Sequence, residues 1–113
     1  MRNNAFEPSR LLQLLDGDPQ AIREILEEAV VAIHDLVVQA SAELTAGDQR
    51  NSAALIHELK GVAANVGAGE LSVLSGGILD RLERSKKLQS ERAVEDLTAA
   101  LHRFTSEARA FLT

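Results

Sequence analysis

The sequence predicts an all-α fold: an antiparallel up-down-up-down four-helix bundle with a short additional N-terminal helix. Three observations point there. Apolar residues recur at three- and four-residue spacing through four long segments. Both prolines, Pro8 and Pro19, lie near the start, so the rest of the chain is free to run in long helices. The connections between those segments are short, which favours antiparallel neighbours. Aromatic content of 3%, with no Trp and no Tyr, is low for a β-sandwich.

The first helix is predicted near Ser9 to Leu15, with Leu11, Leu12, Leu14 and Leu15 as its apolar residues, and reads as a lid. Gly17-Asp18-Pro19 then breaks the chain, Asp18 being suited to an N-cap and Pro19 to the first helical position. The second helix runs from about Pro19 to Ala46. Its core stripe is Ile22, Ile25, Leu26, Ala29, Ile33, Leu36, Val37, Ala40 and Leu44. Gly47 is a C-terminal stop and Asp48 a cap for the third helix, which ends near Gly67-Ala68-Gly69. A fourth helix is predicted from Glu70 to Lys86, with Leu71, Val73, Leu74, Ile78, Leu79 and Leu82 apolar. The polar stretch from Ser85 to Ser90 reads as a turn. The fifth helix, Glu91 to Phe111, would bury Val94, Leu97, Leu101, Phe104 and Ala108. Ser75-Gly76-Gly77 inside the fourth helix is anomalous, since each interior glycine costs about 1 kcal/mol relative to Ala. Close helix approach is the expected reason, with a kink as the alternative.

A chain of 113 residues is expected to form one domain over 1–113, long enough to bury a core without staples. Cysteine is absent, which excludes disulfides and thiolate metal sites. The net charge of −5 disfavours nucleic acid and anionic membranes as partners. No apolar run reads as a bilayer span, and the first residues lack the apolar stretch of a signal peptide. Together these point to the cytoplasm.

The third helix carries the most informative stretch, from Ala54 to Gly67. Leu55, Ile56, Leu59, Val62, Ala63 and Val66 fall within an arc of about 120° centred near Leu59. His57 lies about 160° from Leu59, facing outward among Ala53, Ala54, Lys60, Gly61 and Ala64. His102 and His34 read as a surface and a boundary histidine. On phase alone His57 could equally be an ordinary exposed residue, but two neighbours set it apart. Gly61, in mid-helix and facing outward, gives up helix propensity and removes bulk beside the ring. Lys60, three residues on, can reach a charged group attached to it. Together they describe a nucleophile with cleared access and a cation for a developing anion. Other chemistries lack support: no glycine-rich loop follows a strand, no His/Asp/Glu pair builds an inward-facing metal site, and no Ser-His-Asp arrangement can be assembled. Val31 and Val38 face outward on the second helix, an apolar pair that the core does not explain.

The run HELKGVAANVGAGEL resembles the signature of histidine-containing phosphotransfer (HPt) domains. That pattern is a phosphorylatable His, Lys three and Gly four residues on, small residues, Gly at ten, and Leu four further, here His57, Lys60, Gly61, Gly67 and Leu71. Phe6, the Leu11-Leu12 pair, Gly17-Asp18 and the long helix ending in Ala46-Gly47-Asp48 resemble the family's lead-in, so the likeness covers roughly residues 6 to 84. Ser75-Gly76-Gly77 departs from it, where the family often has bulkier residues, and Glu58 places a carboxylate after the histidine.

The resemblance implies a phosphoryl carrier, not an autonomous enzyme, relaying phosphate between receiver-domain aspartates in a two-component phosphorelay. His57 would be the phosphoacceptor, Lys60 would stabilise phosphoryl charge and Gly61 would provide clearance. Ala53, Ala54 and Ala64, with Val31 and Val38, would meet the partner. No cofactor or metal is expected on this chain, with Mg²⁺ on the receiver. Response-regulator receivers and a hybrid sensor histidine kinase are the implied partners, and a monomer suffices. The rival reading is an adaptor bundle that binds a receiver or sensor kinase without carrying phosphate.

Overall fold

The computed structural model describes residues 4–84 and 88–113. Five helices follow one another: α1 (Ser9–Leu14), α2 (Pro19–Ala46), α3 (Gln49–Val66), α4 (Gly69–Glu83) and α5 (Ser90–Leu112), with no strand among the described residues. The four long helices form a ring in which α2 packs on α3, α3 on α4, α4 on α5 and α5 on α2, while α1 rests on α3. Cross-helix hydrogen bonds show the alternation of direction. The Arg23 guanidinium at the start of α2 donates to the Leu112 carbonyl at the end of α5 (2.7 Å), and Gln49 at the start of α3 donates to the Leu82 carbonyl near the end of α4 (2.6 Å). At ~1.5 Å per residue α2 spans about 42 Å, which accounts for the 43 Å long axis of the molecule.

The predicted caps are made as expected. Asp18 accepts from the Gln20 and Ala21 amides (3.0 and 3.3 Å), and Asp48 from the Asn51 amide (3.0 Å). Gly47 ends α2 at φ 77°. Behind it the Asp48 amide donates to the Glu43 carbonyl and the Gly47 amide to Leu44, a Schellman pair. Gly67 ends α3 the same way at φ 85°, with Ala68 donating to Ala63 and Gly67 to Ala64.

The core stripes of α2 and α5 are buried nearly as predicted, with three differences. Ile25 is exposed, Val94 is half-buried, and Ala93 and Ala100 join the α5 core. On α1 only Leu11 is buried; Leu15 is half-buried and Leu12 and Leu14 are exposed. On α4 Val73 is 57% exposed, because it points about 180° from the centre of the set Leu71, Ser75, Ile78, Leu79 and Leu82. Helix α4 also stops sooner than its pattern predicts, at Glu83 with Arg84 as its cap. The predicted turn falls partly on Ser85 to Lys87, outside the described residues, and Ser90 already belongs to α5.

Ahead of α1 the chain closes one end of the bundle. Ala5 and Phe6 are buried, and the Phe6 ring meets Phe104 and Phe111 edge-to-face at 5.9 and 5.6 Å. The Glu7 amide donates to the Gly67 carbonyl (2.8 Å) and the Glu70 amide to the Asn4 carbonyl (2.9 Å). Glu70 takes a forked pair of bonds from Arg103 of α5 (2.9 to 3.1 Å). That hydrogen bond, reinforced by the charges of Glu70 and Asp96, raises the Arg103 guanidinium above its ordinary value.

By length and composition α2 is long and apolar enough to cross a membrane, which corrects the expectation that no segment is. In the bundle its stripe from Ile22 to Leu44 forms the core against α3 and α5 instead.

Candidate functional site

Ile56, Leu59, Ala63 and Val66 hold α3 against the core, with Leu55 and Val62 half-buried on its flank. This fixes the opposite face outward. His57, Lys60, Gly61, Ala54 and Ala64 are all exposed there, and Ala53 is half-buried against the core. The structure therefore brings His57, Lys60, Gly61 and the three alanines together on one helical face, as the sequence predicts.

No hydrogen bond or ion pair engages His57 among the described residues. Both ring nitrogens remain available to a partner. A Cβ added at Gly61 would meet no heavy atom within 4 Å, the imidazole included. The clearance that Gly61 provides is thus for whatever approaches the ring, not for the ring itself.

Lys60 leans toward α4. A Cβ at Gly76 would sit 3.6 Å from Lys60 Cε and 3.8 Å from its Nζ. Helices α3 and α4 are antiparallel, so the turn of α4 just past Gly76 lies level with His57. That turn carries Leu79, which is buried, and Asp80, which takes a 2.8 Å bond from Arg84 Nε. Lys60 itself makes no ion pair among the described residues. The contact with Gly76 escaped the sequence reading. Its only signal was a costly glycine in mid-helix.

The structure also corrects the reason expected for Ser75-Gly76-Gly77. Close approach of helices does not require the glycines: the three atoms nearest a Cβ at Gly76 belong to the Lys60 side chain, at ordinary contact distance, and Gly77 has nothing within 4 Å of a Cβ. Ser75 alone points into the core.

Val31 and Val38 are 62% and 55% exposed. Arg23, which reaches α5, lies about 60° from Val38 and 80° from Val31 around α2. The pair sits on the outer corner of α2, leaning toward α5. His34 is exposed beside Asp35 (3.5 Å), and His102 is exposed on α5. Among the described residues no group of three or more His, Cys, Asp or Glu could hold a metal ion.

Residues 20–111 match the sequence profile of the Hpt domain family. Among curated proteins and among solved structures, none matches the chain.

Proposed function

Because this chain belongs to the Hpt domain family, whose members serve histidine phosphotransfer in two-component phosphorelays, we propose that it carries a phosphoryl group on His57. The observation that carries this reading is the free imidazole of His57, outward on a rigid helix, with Lys60 a turn away and no side chain at Gly61.

A receiver domain bearing an aspartyl phosphate docks on the outer face of α3. The neutral imidazole attacks phosphorus in line through Nε2. The N–P bond forms as the acyl phosphate O–P bond breaks, and the bonding pair leaves with the aspartate carboxylate. Lys60 offsets the charge spread over the phosphoryl oxygens. The receiver supplies the Mg²⁺. The phosphohistidine then yields its phosphoryl group to a second receiver's aspartate by the reverse chemistry. This chain contributes alignment and charge and needs no nucleotide site, consistent with a carrier acting as a monomer in the cytoplasm with a hybrid sensor kinase and response regulators.

The docking surface is centred on Ala53, Ala54, Gly61 and Ala64, small residues that let a partner approach the ring closely. Leu12 and Leu14 of α1, exposed on the helix that rests on α3, extend it. Val31 and Val38, on the corner of α2 that leans toward α5 and away from α3, lie outside it. Replacing Ala54 with Asp is expected to weaken receiver binding and transfer. Replacing Val31 and Val38 together with Asp is expected to leave transfer unchanged, and a slower rate would bring α2 into the surface.

Incubation with phosphorylated receivers tests the whole reading. Acid-labile, alkali-stable label is expected on this chain and absent from His57→Gln. A chain that binds receivers and takes no label is an adaptor instead.

A further inference from the structure

Gly76 and Gly77 are adjacent but face different ways, and only one of them meets a functional side chain. A Cβ at Gly76 would come 3.6, 3.8 and 3.9 Å from Cε, Nζ and Cδ of Lys60. The outer half of that lysine therefore lies over the bare backbone of Gly76. One turn on along the same flank of α4, Asp80 is engaged by Arg84 at 2.8 Å, and Lys60 makes no ion pair among the described residues.

We propose, resting on the carrier reading above, that Gly76 is a positioning residue: its missing side chain leaves a notch in α4 that seats the stem of Lys60 and holds the ammonium at the α3–α4 seam, one turn from His57. An exposed lysine on a free helix face samples many rotamers, and each one frozen during transfer costs entropy at that moment. A stem laid along backbone keeps its methylenes covered and its charged head in water. The donor is then in place before the phosphoryl group arrives, which is where preorganised charge accelerates a reaction. A methyl group at residue 76 would make ordinary contact with Cε. A longer side chain would need the space that the lysine stem occupies.

The experiment compares Gly76→Gln, Gly77→Gln, Lys60→Ala and the double variant Gly76→Gln with Lys60→Ala. Transfer rates are measured from a phosphorylated receiver that labels the wild-type chain, with helicity and unfolding midpoint read in parallel. Gly76→Gln is expected to slow transfer about tenfold, less than the roughly 100-fold that outright loss of one positioned donor costs, because the ammonium is displaced and not removed. Gly77→Gln makes the same change of residue on the other flank, where a Cβ meets nothing, and is expected to transfer at the wild-type rate. In the Lys60→Ala background, Gly76→Gln is expected to add no further loss, because it acts through the lysine. A wild-type rate for Gly76→Gln overturns the proposal, as does an equal loss in the Lys60→Ala background or in Gly77→Gln. Should Gly76→Gln fail to fold, a nuclear Overhauser contact between the Lys60 ε-protons and the Gly76 α-protons in the unmodified chain decides. Its presence supports the seat and its absence overturns it. If no receiver labels the wild-type chain, the carrier reading falls, whereas a labelled wild type with an unaffected Gly76→Gln removes the seat alone.

Discussion

At Gly67 two constraints meet in one residue. Its φ of 85° closes α3, and a Cβ there would overlap the Glu7 carbonyl oxygen. Gly67→Ala therefore adds backbone strain and displaces the N-terminal segment from the α3–α4 turn. A loss of about 2 kcal/mol or more is expected, read by urea unfolding followed by circular dichroism. The left-handed stop was legible in the sequence as a glycine after an apolar stripe. The overlap with Glu7 was not, because it joins residues sixty apart in the chain. The same division holds at the candidate site. His57, Lys60 and Gly61 lie within one turn and a half of a single helix, so helical phase alone places them together. The seat of Lys60 on Gly76 crosses between two helices, and no periodicity within either one reports it.

Among the elements, α4 departs furthest from the local rules. Gly77 occupies a helix interior without positive φ and without a neighbour within 4 Å. Gly77→Ala is expected to raise stability by about 1 kcal/mol, visible as a higher thermal midpoint, since only helix propensity changes. A drop would mean that the groove lined by Gly77, Ile78, Leu88 and Ala93 between α4 and α5 needs the space that a methyl group fills. Helix starts and stops were legible wherever a side chain or a glycine marks them, as at Asp18, Gly47, Asp48 and Gly67. Helix α4 ends at Arg84 without such a mark, two residues short of the end expected at Lys86. Exposure was less legible than phase. Ile25 and Val73 are apolar residues left 40% and 57% exposed, and coverage is a property of the assembled ring.

For the whole molecule, the four-helix ring followed from stripe lengths and short connections, but the closure of its end did not. Phe6 is buried against Phe104 and Phe111 and fastens the segment from Asn4 to Glu7 across the α3–α4 turn. Phe6→Ala is expected to cost about 3 kcal/mol or more, as aromatic truncation in a core does, and to lower the urea midpoint. Transfer rates at low temperature should survive it, because His57 lies on the outer face of α3, away from the Phe6 cluster. The core stripes thus lie inside and the His57 imidazole outside, so stability and the proposed transfer can be altered separately. The direct test is label transfer from phosphorylated receivers to the wild-type chain and to His57→Gln. Acid-labile, alkali-stable label is expected on the wild type and none on the variant, with both equally folded. Label retained by His57→Gln, or receiver binding by the wild type without any label, would contradict the proposed transfer.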